Sequence, residues 1–347
     1  MKSLAFAVRA AAVVAALFFA GCTGEEKVIN TLPDTWQLLC VSAAAPSALA
    51  VQKYPENTAV SADVFQQVNN RQLPAAVTAV VEFRDRLYLL TPAALKIYAL
   101  DAKTFALKDS MDFTKENRIP TALCFANATT AYVAHEHDSV VSVVDITVFK
   151  TARTVATGRK PVGIAAVGNQ VFVANQLGNT ITQIDTRTNV VTAQHQTPPA
   201  PTFIVPSTDG RSIVAVCLGA GKADNSSSKT AAFCVFIDAP TAQITAQTAL
   251  DDPFYETDIA AKPRGLTTTS SDWAFIPTDM GLFQLDLVNK REPIILNETP
   301  YDIAMFNYRR GELLLVEGGS VIVADPNTAK EKARYALPLP AVAILGM

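Results

Sequence analysis

An aspartate that returns every 39 to 53 residues constrains this chain more than any other feature. It stands at Asp101, Asp145, Asp185, Asp238, Asp286 and Asp325, with spacings of 44, 40, 53, 48 and 39. Each aspartate closes a short apolar run and opens a small polar turn, after which another β-branched run begins. Periods of about 40 to 50 residues holding four short strands belong to propeller blades, because one such sheet cannot bury both of its faces alone. The expected fold is therefore all-β, with four-stranded antiparallel blades.

The fourth unit shows the pattern most plainly. Residues 161–167 read as an inner strand A, and Gly168-Asn169 turns the chain into strand B at 171–175. A loop at 176–179 leads to strand C at 180–185, and Thr186-Arg187-Thr188 turns into strand D. β-Branched runs between turn formers are the usual strand signal. Asp185, placed just before the turn, can accept hydrogen bonds from turn N–H groups, which explains its recurrence without catalysis.

Six units carry the landmark, and a seventh precedes them at residues 36–41, 49–54 and 60–68. That first blade lacks an inner strand, while residues 341–346 have no local partner. The C-terminal run is expected to pair in the first blade and close the ring at seven blades, since an open ring would expose two strand edges.

Gly158-Arg159-Lys160-Pro161-Val162-Gly163-Ile164-Ala165, Val171-Phe172-Val173-Ala174-Asn175 and Ile184-Asp185-Thr186-Arg187-Thr188 together resemble the YVTN-type, YncE-like β-propeller repeat. Blade three is similar through Ala131-Tyr132-Val133-Ala134 and Val143-Val144-Asp145, whereas the other blades keep the rhythm and the aspartate only.

The N-terminus differs from the rest. Lys2 and Arg9 precede an apolar run at 10–20, too short to span a bilayer, and Phe19-Ala20-Gly21-Cys22 resembles a bacterial lipobox. The reading is a signal peptide at 1–21, a lipidated Cys22 with a tether to residue 33, and the propeller at 34–347. Two or more acyl chains suffice for stable anchoring. Thr23 after the cysteine, followed by Glu25-Glu26, favours the outer membrane, on its periplasmic or surface side.

The net charge is -3 and no run of five basic residues occurs, so a nucleic-acid footprint is missing. In propellers of this strand order, B–C and D–A connections share one face. The longest connections, 218–230 and 251–263, both fall there, and long loops on a rigid scaffold commonly carry binding. Candidate ligand contacts on that face are His135, Glu136, His137, Asn175, Arg118, Arg159, Arg264, Tyr255, Tyr301 and Asp279, with Lys160 beside them. His135 and His137, spaced i and i+2, are candidate metal ligands, and His195 is the only further imidazole. Cys217 and Cys234, at facing strand ends of blade five, are a candidate disulfide, while Cys40 and Cys124 read as core.

No haem motif, nucleophile elbow or phosphate loop is present, and no cofactor is predicted. The expectation is a monomeric, non-enzymatic module that binds a protein or small ligand, with nutrient uptake as one specific form. The alternative is a metal-dependent hydrolase or lactonase using the His135/His137 loop.

Overall fold

The computed structural model describes residues 35–42, 44–221, 230–250, 262–269 and 272–347. The chain divides into two units, 1–33 and 34–347; the first, including Lys2, Arg9 and Cys22, lies outside the described residues. The second is a seven-bladed β-propeller of four-stranded antiparallel sheets. Blades two to seven are contiguous in sequence, and blade one combines the C-terminal strand with the first three.

In blade four, Pro161–Val167, Gln170–Asn175, Thr180–Asp185 and Val190–Gln196 form strands A to D in that order. Strand B is a continuous apolar run because blades cover it on both sides. Val171 and Val173 pack against Tyr132 and Ala134 of blade three. Phe172 and Ala174 pack against Ile213 and Ala215 of blade five. Three A strands begin on a proline: Pro120, Pro161 and Pro201. Strand A is the inner edge of each blade, where proline costs no ladder hydrogen bond.

The aspartate turns are one structure used six times. Asp185 Oδ1 accepts from Arg187 N at 2.8 Å, and Asn189 N donates to Asp185 O at 2.7 Å. The residue four positions after each landmark has a positive φ: Phe105, Phe149, Asn189, Ala242, Lys290 and Ala329. That residue also reaches the preceding blade in several cases. Phe149 packs on Tyr88 with ring centroids 5.8 Å apart, Tyr132 Oη donates to Asn189 Oδ1, and Phe105 joins the cluster containing Leu39. The turn thus caps its own hairpin and joins adjacent blades. Hydrogen bonds from Arg187 and Thr104, respectively, pull the Asp185 and Asp101 carboxyls down to about 2.

The C-terminal run closes the ring in the first blade, as expected. Ala341–Gly346 pairs antiparallel with Trp36–Ser42, placing Leu39 opposite Leu345 and Cys40 opposite Ile344. Trp36 stacks on Tyr54 at 4.9 Å, and Tyr54 meets Tyr335 of blade seven at 4.8 Å.

The expected strand over 60–68 is replaced by two elements. The D strand of blade one is only Thr58–Ser61, and Val64–Asn69 is a short helix. Asp63 caps it by accepting from Gln66 N at 3.1 Å, and Phe65 is buried. Asn69 then bridges to blade two, donating to Phe105 O at 3.1 Å and accepting from Leu107 N at 2.7 Å. A cap residue followed three positions later by Gln is a helix-start signal that strand-like Val residues obscured.

Candidate functional site

The last residue of strand B governs much of the loop face. His135 has no exposed surface, and its Nε2 lies 2.8 Å from Ser142 Oγ on strand C. The Phe113 ring meets its edge at 4.8 Å. Burial, helped by the charge of Arg118, pushes the imidazole down to about 4, so it is neutral at pH 7. Asn175 is its counterpart in blade four. Its Nδ2 donates to Thr182 Oγ1 at 2.8 Å and Thr180 Oγ1 at 3.1 Å. Ser142 and Thr182 occupy the same place, opposite the third-last B-strand residues Val133 and Val173.

The same position holds Thr91 and Thr278, both fully buried, whose hydroxyls donate to Lys96 O and Gly281 O at 2.9 Å each. A polar side chain there ties the end of strand B to strand C, although Asn175 Oδ1 itself is left without a donor among the described residues. Gly158 lies so close over Asn175 that an added Cβ would sit 2.7 Å from its Cγ. Both His135 and Asn175 are therefore interior structural residues rather than surface ligand contacts.

The candidate metal pair does not converge. His137 is 66% exposed in its side chain and lies 3.6 Å from Glu136, whereas His135 is enclosed. His195 stands in the outer strand of blade four. Among the described residues no group of three or more His, Cys, Asp or Glu side chains is placed to hold a metal ion.

Two of the four basic candidates are paired. Arg118 Nε lies 3.3 Å from Asp138, and Arg264 Nη1 lies 2.5 Å from Asp302. Asp279 accepts from Lys262 N at 2.7 Å, with Lys262 Nζ at 3.5 Å. These contacts link inter-blade connections to neighbouring loops. Arg159 is exposed and Lys160 half-buried, and neither has a carboxylate partner among the described residues. Tyr301 belongs to the core instead of an exposed aromatic rim: it is 6% exposed, and Asn297 Nδ2 lies 3.3 Å from its hydroxyl. Burial raises its phenol pKa. Tyr255 lies outside the described residues, as do 222–229 of the blade-five loop and 251–261 of the next connection.

Cys217 and Cys234 are not joined. Cys217 stands opposite Phe233, and Cys234 opposite Val216, so the thiols fall on opposite faces of the sheet. Cys217 packs with Phe172 and Ala215 toward blade four, while Cys234 packs with Ala274 and Ile276 of blade six. The sequence placed them at one strand end, but their one-residue offset sends them apart. Burial pushes the Cys217 thiol up to about 12.

Three solved structures share this fold at low sequence identity. Apo AztD from Citrobacter koseri matches with TM-score 0.58 and 10% identity, covering 90% of this chain and 98% of that one. The Neurospora crassa Pan2 WD40 domain matches with TM-score 0.56 and 12% identity over 75% and 78% of the two chains. Kuenenia stuttgartiensis hydrazine synthase gives TM-score 0.54 and 16% identity over 70% and 74%. At such identities the likeness establishes the architecture alone. No curated protein matches the chain in sequence. Residues 47–276, spanning most of blades one to six, match a family model, and the chain belongs to that family, described as a domain of unknown function (DUF5074).

Proposed function

We propose that this protein is an exported, lipid-anchored β-propeller of the bacterial outer membrane that acts as a non-enzymatic binding module. The observation that carries the reading is the contrast between the two faces. One is built from repeated tight turns whose aspartates are consumed by their own backbone. The other receives the longest connections: strand Ser212–Cys217 runs into 218–232 before Phe233–Asp238, and Gln243–Ala249 is followed by 250–266. Exposed Arg159 and half-buried Lys160 on that face are available to a partner protein or small anionic ligand. Nutrient uptake is the specific form we favour, and kinship with YVTN-type propellers is part of the same proposal, supported by blades three and four.

The anchor is tested by labelling cells with a radioactive fatty acid. Label on the wild-type protein and none on Cys22→Ala is expected; no label on either removes the anchor. Binding is tested by a thermal-shift screen of envelope nutrients and metals. A ligand at 100 times its Kd adds about 2.7 kcal/mol, and Arg159→Ala should reduce the shift for a loop-face anion. Stoichiometric metal in the purified protein would instead favour a metal-dependent hydrolase.

A further inference from the structure

The opposite face, built of A–B and C–D turns, contains a hollow of about 310 Å³ at the seam where the ring closes. Its lining draws on blade two through Glu82 and Arg84, on blade seven through Phe306 to Arg309, and on the closing strand through Leu345 and Gly346. Arg309 is already engaged. Its Nη1 donates to Gly346 O at 2.7 Å, and its Nη2 pairs with Glu82. The single carboxylate of the lining is thereby neutralised.

One donor remains. Arg84 has φ 55° at the tip of its turn, and its guanidinium lies 5.6 Å over the Phe83 ring. No carboxylate lies within ion-pair distance of it among the described residues. Asn307 is only 3% exposed; its Oδ1 accepts from Arg309 N at 3.1 Å, and its amide is enclosed against Gly346 of the closing strand. Phe306 and Tyr308 meet edge to face at 4.7 Å beside it, and Tyr308 is 69% exposed. A free guanidinium beside an aromatic wall suits one kind of ligand: a flat molecule ending in a carboxylate.

We propose that this seam hollow binds a small aromatic carboxylate, with Arg84 on the carboxylate and Tyr308 and Phe306 against the ring. The volume is near the lower end of small-molecule sites and suits a ligand of about ten heavy atoms. An occupant would touch blade two, blade seven and the closing strand together, so its binding would tighten closure. This site lies on the face opposite the one proposed above and stands or falls independently of it.

Calorimetry on the purified protein with benzoate as probe, and benzamide as its neutral analogue, tests the proposal. Benzoate is expected to bind with a Kd of about 1 mM or tighter and to slow hydrogen exchange across 341–346. Benzamide should not bind. Arg84→Asn removes the charge with a side chain that tolerates positive φ, and should weaken benzoate at least about tenfold. Tyr308→Ala should weaken it by a smaller factor. Lys150→Gln, in the outer strand of blade three, should change nothing. Absence of benzoate binding at several times that concentration, equal affinity in wild type and Arg84→Asn, or equal loss in Lys150→Gln would overturn the assignment. Should Arg84→Asn not fold, Arg84→Lys gives the same reading, because losing the planar fork should also weaken the carboxylate.

Discussion

Blade four and blade one are both four-stranded sheets, yet different interactions hold them. Blade four is contiguous, its hairpins joined by short turns, and Asp185 closes its C–D turn. Blade one joins residues from the two ends of the domain, has a D strand of four residues, and turns from C to D through Pro55 and Asn57 with no landmark aspartate. It compensates with aromatic packing of Trp36, Tyr54 and Tyr335 and with the Arg309 contacts to Gly346 and Glu82. Local hairpins bring little loop-closure cost, whereas pairing distant segments must be offset by buried side chains. A repeat can therefore be written in turn residues everywhere except where the ring closes.

The largest test removes that closure. Deleting 341–347 strips the inner strand from blade one and the burial of Ile344 and Leu345, which together contribute about 4 kcal/mol by area alone. Exposed strand edges should add aggregation to the loss. Size-exclusion chromatography and thermal melting should show a destabilised, self-associating domain; a native melt would show that blade one does not depend on its composite strand.

Tyr54→Ala comes next. Tyr54 is fully buried, stacks on Trp36 and donates to Ala336 O at 3.1 Å. Its truncation should cost about 3–5 kcal/mol and lower Tm by roughly 6–10 °C. A shift of only a degree or two would mean that the aromatic cluster is not what offsets the missing turn.

Asn175→Ala probes blade four at comparable depth. It removes the Asn175 donor from the buried Thr180 hydroxyl and leaves Thr182 only the longer bond from Gln194 Nε2, at 3.5 Å, and should cost about 1–3 kcal/mol. Hydrogen exchange should rise first in strands B and C of blade four. Equal acceleration in blade one would argue against independent local codes.

The smallest effect is the acid response of the aspartate turns. Asp101 and Asp185 are held at about 2 by turn hydrogen bonds, and Asp145, Asp238, Asp286 and Asp325 are also lowered. A depressed carboxyl stabilises the fold above its unfolded pKa of about 3.9 and loses that contribution as pH falls toward 2. Urea midpoints measured from pH 5 to 2 should fall in wild type and fall less steeply in Asp185→Asn. Parallel slopes would detach the turn from the acid response.

Most of the architecture was legible in the chain because strands and turns depend on residues a few positions apart. The aspartate spacing marked six blades, and the partnerless run at 341–346 identified the closing strand. The helix at Val64–Asn69 was missed although Asp63 and Gln66 signal its start, because Val64 and Val68 favoured a strand reading. The candidate site was far less legible. His135 and Asn175 stand at the ends of B strands and read as ligand contacts of the loop face in one dimension, and only their contacts with Ser142, Thr180 and Thr182 show them to be interior. Arg84 and Arg309 lie 225 positions apart in numbering, so no local pattern could join them across the seam.

By itself the sequence determined the repeat, the number of blades, the turn chemistry and the strand that closes the ring. These follow from period-two burial and from hydrogen bonds that reach no further than the next turn. Tertiary structure alone decided which polar groups are enclosed, that Cys217 and Cys234 face apart, and that Arg84, Asn307 and Tyr308 share one hollow. Those outcomes depend on which blade presses on which face and where the two ends of the ring meet, and such contacts leave no short-range trace along the chain.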